Sequence, residues 1–582
     1  MKSNLFGDLS SYYKNEMDYL IKAGNDFAKK HIKSANNIEW GPSGTTDPHI
    51  NRLFESFAFL TARVQQKIDT LESKTSFQLI NNLCPMFTKS IPSSCVMKLQ
   101  INDEMIASKN YGKIIEKGTE ISFQTKNAGS FKYVTIYDVQ FIPFEVFSIK
   151  IVDIASFGID SKYVKSPWAM QIHIKSTYVV KDKIDINFIR FFISNEIQAN
   201  SSNSIYHMIS TYDIENNPIA FIAKPYDELI PCGEIKFVGF DDQESTFYYD
   251  SITPLHMKLS TEYCTFSEKF MFFDVNIPKS FDMKCNDFKI LIPLGEDFVP
   301  RGILSESLHL MCTPSINLFN ASSDYINIDH KKSRYPLMID SRRKKWMSIH
   351  SINSIISKRD ASQVVYKPYF RYTNNDLDKN TEDFWLEERE GDDIFVSFIS
   401  SDLSLKSEIA YAKVLCTNNN AAKYVSKLAE FSADRLIPGI SFVQFVGPNM
   451  QIDPVKNVEW SIVSMLLNNH FIFGSSTNGT KSLKDIFSLY GLIGNIDVSK
   501  MIIDVSFERG ISPYTKGYAH YFTPKLTISV VLDDSQPHNF MILGRILHKI
   551  FENFCEINTF VKTVILRASD KKIQKIYTSA RE

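Results

Sequence analysis

The stretch with the most chemical promise is Gly474-Ser-Ser-Thr-Asn-Gly479-Thr480-Lys481-Ser482, which follows the apolar run His470-Phe-Ile-Phe473. A phosphate-binding loop needs its lysine directly after the second glycine. The ammonium then reaches the β- and γ-phosphates while backbone N–H groups cradle them. Here Thr480 intervenes and displaces Lys481 by one position, so the segment reads as a solvated connecting loop. Asp47 beside His49 has the residue types of an acid–base or metal pair. On the first turn of a helix, however, a histidine more often binds a neighbouring backbone or side-chain group. Asp533-Asp534 has no third carboxylate nearby to complete a cation site and reads as a polar turn. The eight cysteines, at 84, 95, 232, 264, 285, 312, 416 and 555, include no C-x-x-C and no zinc-type spacing to a histidine. They read as small hydrophobes of a reducing compartment. No G-x-G-x-x-G, G-x-S-x-G or H-E-x-x-H occurs. No catalytic residue, metal ligand or cofactor is therefore expected.

Two basic clusters remain: His330-Lys331-Lys332-Ser333-Arg334 with Arg342-Arg343-Lys344-Lys345, and Lys571-Lys572 with Lys575. Interleaved Tyr335 and Trp346 give the first the look of a nucleic-acid patch. The formal net charge of −1 and the lack of a nucleic-acid module favour a solvated loop or an acidic protein partner. No nucleic acid is expected among the ligands.

The elements that would position any site begin with helices. Tyr12 to Phe27 recur at helical spacing, giving a first helix over 10–31. Asp47-Pro48 then supplies a capping carboxylate and a proline at the first helical position. Leu53, Phe57, Leu60, Val64, Ile68 and Leu71 follow at alternating steps of four and three, a stripe at close to heptad spacing. Such a stripe serves either an ordinary core or a partner helix. A second short helix is expected over Phe77–Leu83, ending at Cys84-Pro85. From Ser94 the period changes to alternating β-branched and aromatic segments with polar breaks and no sustained helical alternation. That argues for antiparallel sandwich or barrel domains and against a repeated βαβ enzyme scaffold. From about 426 helix and strand mix. Val458–His470, Leu483–Tyr490 and Phe540–Phe554 read as helices, and MIIDVSFE and KLTISVVLDD as strands.

The expected fold is thus multidomain α+β: a helical segment over 1–92, a β-rich, mainly antiparallel region over 93–425, and a mixed α/β domain over 426–582. The middle region is expected to hold two domains, split near 226–320. With 44% hydrophobic residues and 582 positions there is apolar material for more than one core. No signal-peptide core and no run of about 18 apolar residues is present, so a cytosolic chain is expected.

The chain resembles the TssF family of the type VI secretion system over most of its length. The N-terminal block carries Asp47-Pro48-His49, Arg52-Leu53, Phe57-Ala58-Phe59-Leu60, Ala62-Arg63-Val64-Gln65 and Ile91-Pro92-Ser93. Tyr263, Phe266, Lys269 and Phe270 match a second block, with Ser267 in place of its proline. Cys312-Thr-Pro314-Ser-Ile-Asn317-Leu318-Phe319 matches a third, followed by Tyr335 and Asp340. Trp385 with Arg389, Cys416-Thr417-Asn418, Trp460 with Leu466 and Asn469, and Ile557-Asn558 with Phe560 complete the resemblance. The tail after Arg567 departs from it.

The resemblance implies a structural, non-enzymatic subunit of the baseplate wedge, similar to wedge proteins of contractile-tailed phages. It implies two copies joined to one TssG, contacts with the gp25-like subunit TssE, the TssK adaptor and the VgrG spike hub, and an indirect link to the sheath. It also implies a cytoplasmic location in a Gram-negative bacterium, docked to the inner-membrane complex through partners, with no direct membrane insertion. On this reading the Leu53–Leu71 stripe meets TssG or the second copy. The residues by themselves leave open a β-rich hydrolase or a cytosolic carbohydrate- or peptide-binding protein.

Overall fold

The computed structural model describes residues 9–42, 44–100, 112–125, 129–157, 167–176, 186–194, 205–211, 219–223, 229–246, 253–278, 287–294, 307–340, 346–359, 362–369, 383–390, 393–400, 407–419, 429–433, 440–454, 462, 476–494, 496–516, 519–535, 537–553 and 560–580. The chain falls into two compact units, 1–88 with 455–467, and 89–454 with 468–582.

The first unit is helical. Helices α1 (Leu9–Lys30) and α2 (Ile32–Asn37) lead through a small hairpin, Trp40–Gly41 with Gly44–Thr45, into α3 (Pro48–Leu83). The spacing predicts a pause after Leu71 and a new helix at Phe77; instead α3 is one continuous helix of 36 residues. No glycine or proline lies between His49 and Leu83, so the helix propagates past the point where its apolar stripe ends. It stops at Cys84-Pro85, where Pro85 opens a short 3-10 turn.

The second unit is built on mainly antiparallel sheets, in agreement with the α+β expectation. A closed barrel runs in the order Cys312–Ile316, Ser94–Gln100, Ser441–Val446, Glu430–Ser432, Glu120–Thr125 and Gly129–Thr135. Its interior is aromatic: the Phe431 ring meets Tyr133 edge-on at 5.7 Å and Phe123 at 5.6 Å. A first eight-stranded sheet joins the strands that start at Leu308, Phe188, Phe272, Leu229, Ile219, Asp287, Trp168 and Phe144, in that order. Phe191 stacks on Phe273 at 5.1 Å within it. A second eight-stranded sheet collects Phe319–Ser322, Ile326–Ile328, Tyr335–Leu337, Ser348–Arg359, Ser362–Pro368, Asp383–Glu390, Asp393–Ser400 and Glu408–Thr417.

Among the described residues two helices interrupt the region expected to be free of them, α4 (Ile205–Thr211) and α5 (Leu255–Thr265). Helix α5 escapes the sequence pattern because nine of its residues, Met257 to Thr265, are buried, polar ones included. A helix covered on every side has no amphipathic period to read.

The C-terminal part has α6 (Ser476–Ile493), α7 (Val498–Met501) and α8 (Pro537–Asn553) on a four-stranded sheet. Strands Ile502–Lys516 and Ala519–Leu532 form a long hairpin. Helix α8 then crosses over to Phe560–Arg567, which pairs parallel to the second of them. The divergent tail forms the last strand, Ile573–Ala580, antiparallel to Phe560–Arg567. Lys575, expected in a solvated basic cluster, is buried there, while Lys571 and Lys572 are exposed. The helix expected over Val458–His470, with Trp460, Leu466 and Asn469, lies outside the described residues apart from Ile462. So do Asn558, the Leu71 side chain and the cluster Arg342–Lys345. Among the described residues no helix is long and apolar enough to cross a membrane.

Candidate functional site

The α3 stripe is the first candidate surface. The Asp47 carboxylate caps the helix by accepting the backbone N–H of His49 at 2.8 Å, while the His49 ring itself is exposed. Helix α1 runs alongside α3. Phe54, Ala58 and Ala62 recur every four residues on the inward side, both alanines fully buried. The Trp40 ring meets Phe54 edge-on at 5.3 Å and donates its indole N–H to Asn25 Oδ1 at 2.9 Å. Gly24 allows that closeness, since a Cβ there would stand 1.9 Å from Trp40 Cζ2. The heptad stripe faces away from this contact. Leu53 is 70% exposed and Ile68 45%, with Phe57, Leu60 and Val64 between these values. Arg52 is exposed on the same helix, and no residue of α1 is buried. The stripe therefore does not serve the core of this unit.

The Tyr263–Phe270 block is a buried polar site in the second unit. Helix α5 ends at Thr265, and the 3-10 turn Ser267–Phe270 brings Lys269 back against Glu262. Both side chains are fully buried and form an ion pair. Glu262 Oε1 also accepts from Ser245 Oγ at 2.7 Å and from the Thr246 N–H at 2.6 Å. Burial pushes the Lys269 ammonium below its usual pKa, and Glu262 pulls it back up. Tyr263 donates to the Asn539 carbonyl at 3.3 Å, and Tyr137 to the Lys269 carbonyl at 3.0 Å. Gly239, at φ +106°, passes so close that a Cβ would lie 2.9 Å from the Tyr137 hydroxyl. Phe266 and Phe270 are buried around the pair. The buried pair ties the 3-10 turn back onto α5.

The third block is a junction. Strand Cys312–Ile316, which carries Pro314, closes the barrel, and Phe319–Ser322 opens the second eight-stranded sheet. Asn317 sits between them, with Leu318 and Phe319 buried beside it. Its amide donates to the Lys132 carbonyl at 2.7 Å and to Asn418 Oδ1 at 2.9 Å, and its Oδ1 accepts the Asn418 N–H at 2.6 Å. The motif pair 312–319 and 416–418, 101 residues apart at Asn317 and Asn418, thus meets in one reciprocal amide clasp. Arg389 donates to Glu387 and to the His350 carbonyl, both at 2.6 Å, next to buried Trp385. In the first basic cluster, Arg334 lies over the Phe395 ring at 4.6 Å and 3.7 Å from Glu388.

The described part of the phosphate-loop look-alike is not a loop. From Ser476 it is the start of α6, and Thr480 Oγ donates to Asp504 Oδ1 at 3.0 Å while accepting the Val505 N–H at 3.0 Å. The threonine that displaces the lysine pins helix to strand. Asp533 accepts from the Ser535 hydroxyl at 2.9 Å, and Asp534 from the Ser569 hydroxyl at 2.8 Å. Among the described residues, six cysteines are buried and free, and no group of three His, Cys, Asp or Glu side chains converges as metal ligands. The spacing alone gave no sign of Glu262, although it adjoins the motif residue Tyr263. Buried His548 and half-buried His207 and His256, each pushed down to about 4 by desolvation, also went unmarked.

The family model described as "Type VI secretion system, TssF" matches residues 6–582. The type VI secretion system component TssF1 of Pseudomonas aeruginosa is 19% identical over 602 residues, covering 96% of each chain. In fold the chain is similar to one in the TssK-TssF-TssG baseplate subcomplex of a type VI secretion system. The TM-score is 0.70 at 17% identity, over 92% of this chain and 98% of that one. It is also similar to a chain of the baseplate complex from the type VI secretion system, with a TM-score of 0.56 at 18% identity over 99% and 100%. With the family model matched along nearly every residue, the chain belongs to the TssF family of the type VI secretion system.

Proposed function

We propose that this protein is a structural, non-enzymatic subunit of the baseplate wedge, two copies assembling with one TssG around the spike hub as the platform for sheath and tube. Family membership supports the setting, and the solved baseplate complexes that contain similar chains support the architecture. The observation that carries the reading is the uncovered stripe of Leu53, Phe57, Leu60, Val64 and Ile68 on α3. Each such side chain, once buried, contributes about 1.5–3 kcal/mol of hydrophobic free energy. On this reading segment 1–92 is the assembly element, its stripe extended by Leu71, and it bundles with TssG or the second copy. The β-rich region 93–425, as two domains, and the domain 426–582 present surfaces to TssK, TssE and the VgrG hub. The chain works at the cytoplasmic side and reaches the inner-membrane complex through those partners.

Co-expression with the TssG of the same gene cluster, followed by light scattering on the purified complex, tests this. Two chains per TssG are expected, and Phe57→Asp or Leu60→Asp should abolish the complex. A folded monomer that ignores TssG overturns the reading.

A further inference from the structure

The first unit has far more chain than core. From Leu9 to Ile68, among the described residues, only Ala35, Ala58 and Ala62 are buried. An alanine methyl removes little surface from water, and every larger apolar side chain of this stretch keeps part of its surface open. Tyr19 is 67% exposed, Ile32 65% and Phe57 57%. Helix α8, with 17 residues against 36 in α3, buries Phe540, Ile546 and Phe551.

Helices in proteins draw most of their stability from a packed apolar face, because nucleation is unfavourable and chain ordering costs entropy. That support is missing from both long helices over this stretch. No residue of α1 is buried, and the α3 stripe lies in water. The specific ties cluster at the small hairpin: Trp40 with Asn25 and Phe54, and the Asn25 amide donating to the Pro42 carbonyl at 3.1 Å. The far end of α3 is different. Ile80, Cys84 and Phe87 are buried, so the helix is anchored there.

We infer that residues 9–68 are only marginally ordered in the free chain and become fixed as helices when the α3 stripe is buried on assembly with TssG. The partner rests on the wedge reading; the weak hold on the free segment rests on the missing core alone. Folding coupled to binding lets a segment wrap a large surface, at the cost of the ordering entropy lost in that step. The docking surface is thus completed by the partner that uses it.

Hydrogen exchange on the full chain, alone and in the purified TssG complex, tests this. In the free chain the amides of α1, and of α3 as far as Ile68, should exchange about 100-fold faster than those of barrel strand Cys312–Ile316. Protection should rise along α3 towards Ile80. In the complex, protection over 9–68 should increase about tenfold or more. Trp40→Ala should erase the residual protection of α1 in the free chain and leave the barrel unchanged. Exchange over 9–68 as slow as in the barrel, in the free chain, overturns the inference whether or not TssG binds. So does fast exchange that persists in a stable complex. If no complex forms, light scattering reports it: the wedge reading and the assigned partner fall, while the free-chain exchange still decides the ordering of 9–68.

Discussion

Lys269 and Glu262 illustrate how much a single buried pair can demand. Two charges without water are tolerable only while each satisfies the other, and here Ser245 and Thr246 both donate to the second carboxylate oxygen. Lys269→Met should therefore cost about 3–5 kcal/mol in urea unfolding, because it strands the Glu262 charge. Adding Glu262→Gln should recover part of that loss, and strictly additive costs would count against the pair acting as a unit. The Asn317–Asn418 clasp is smaller in scale. Asn418→Ala leaves the Lys132 N–H and the Asn317 amide without their acceptor, an expected loss of about 1–3 kcal/mol. Neither site was readable as such. The motif residues Lys269 and Asn317 stand out in the chain, but each partner is identified only by where the backbone returns.

At the scale of elements, α3 and α8 make opposite use of apolar periodicity. Helix α8 buries Phe540, Ile542, Leu543, Ile546, Leu547, Ile550 and Phe551, and so is fixed by its own fold. Helix α3 leaves its stripe in water, so Phe57→Asp should change the unfolding free energy by less than about 0.5 kcal/mol even as it prevents assembly. That separation of stability from binding distinguishes an interface residue from a core residue. The elements around α8 also set an acid limit. His548 hydrogen-bonds Thr563 at 3.0 Å and stacks on Tyr577, with Glu552, Lys549 and Arg545 as charged neighbours. His207 lies near Arg567 and Gln574. Both histidines titrate at about 4 in the fold against about 6.5 in an unfolded chain, so at intermediate pH the unfolded state binds more protons. Their contribution is complete above pH 6.5 and declines as pH falls towards 4. The urea midpoint should fall across that window, and His548→Gln should flatten the decline. A midpoint unchanged between pH 6.5 and 4 would contradict this account.

For the whole molecule, local patterns in the chain determined the helix start at Asp47-Pro48, the stripe on α3, the change to strands at Ser94 and the final α8. Each rests on neighbours within a few residues, where period and capping act directly. The tertiary structure alone decided what those patterns serve. A heptad stripe looks the same whether it is buried or exposed; the α3 stripe is exposed because the helix turns its Phe54–Ala62 side inward instead, where Trp40 meets Phe54. Continuity across 71–77 followed from helix propagation without a breaker, which an apolar period does not register. Helix α5 was unreadable for a related reason. Which face of an element points inward is set by the layers closed over it, and in this chain those layers come from residues up to hundreds of positions away.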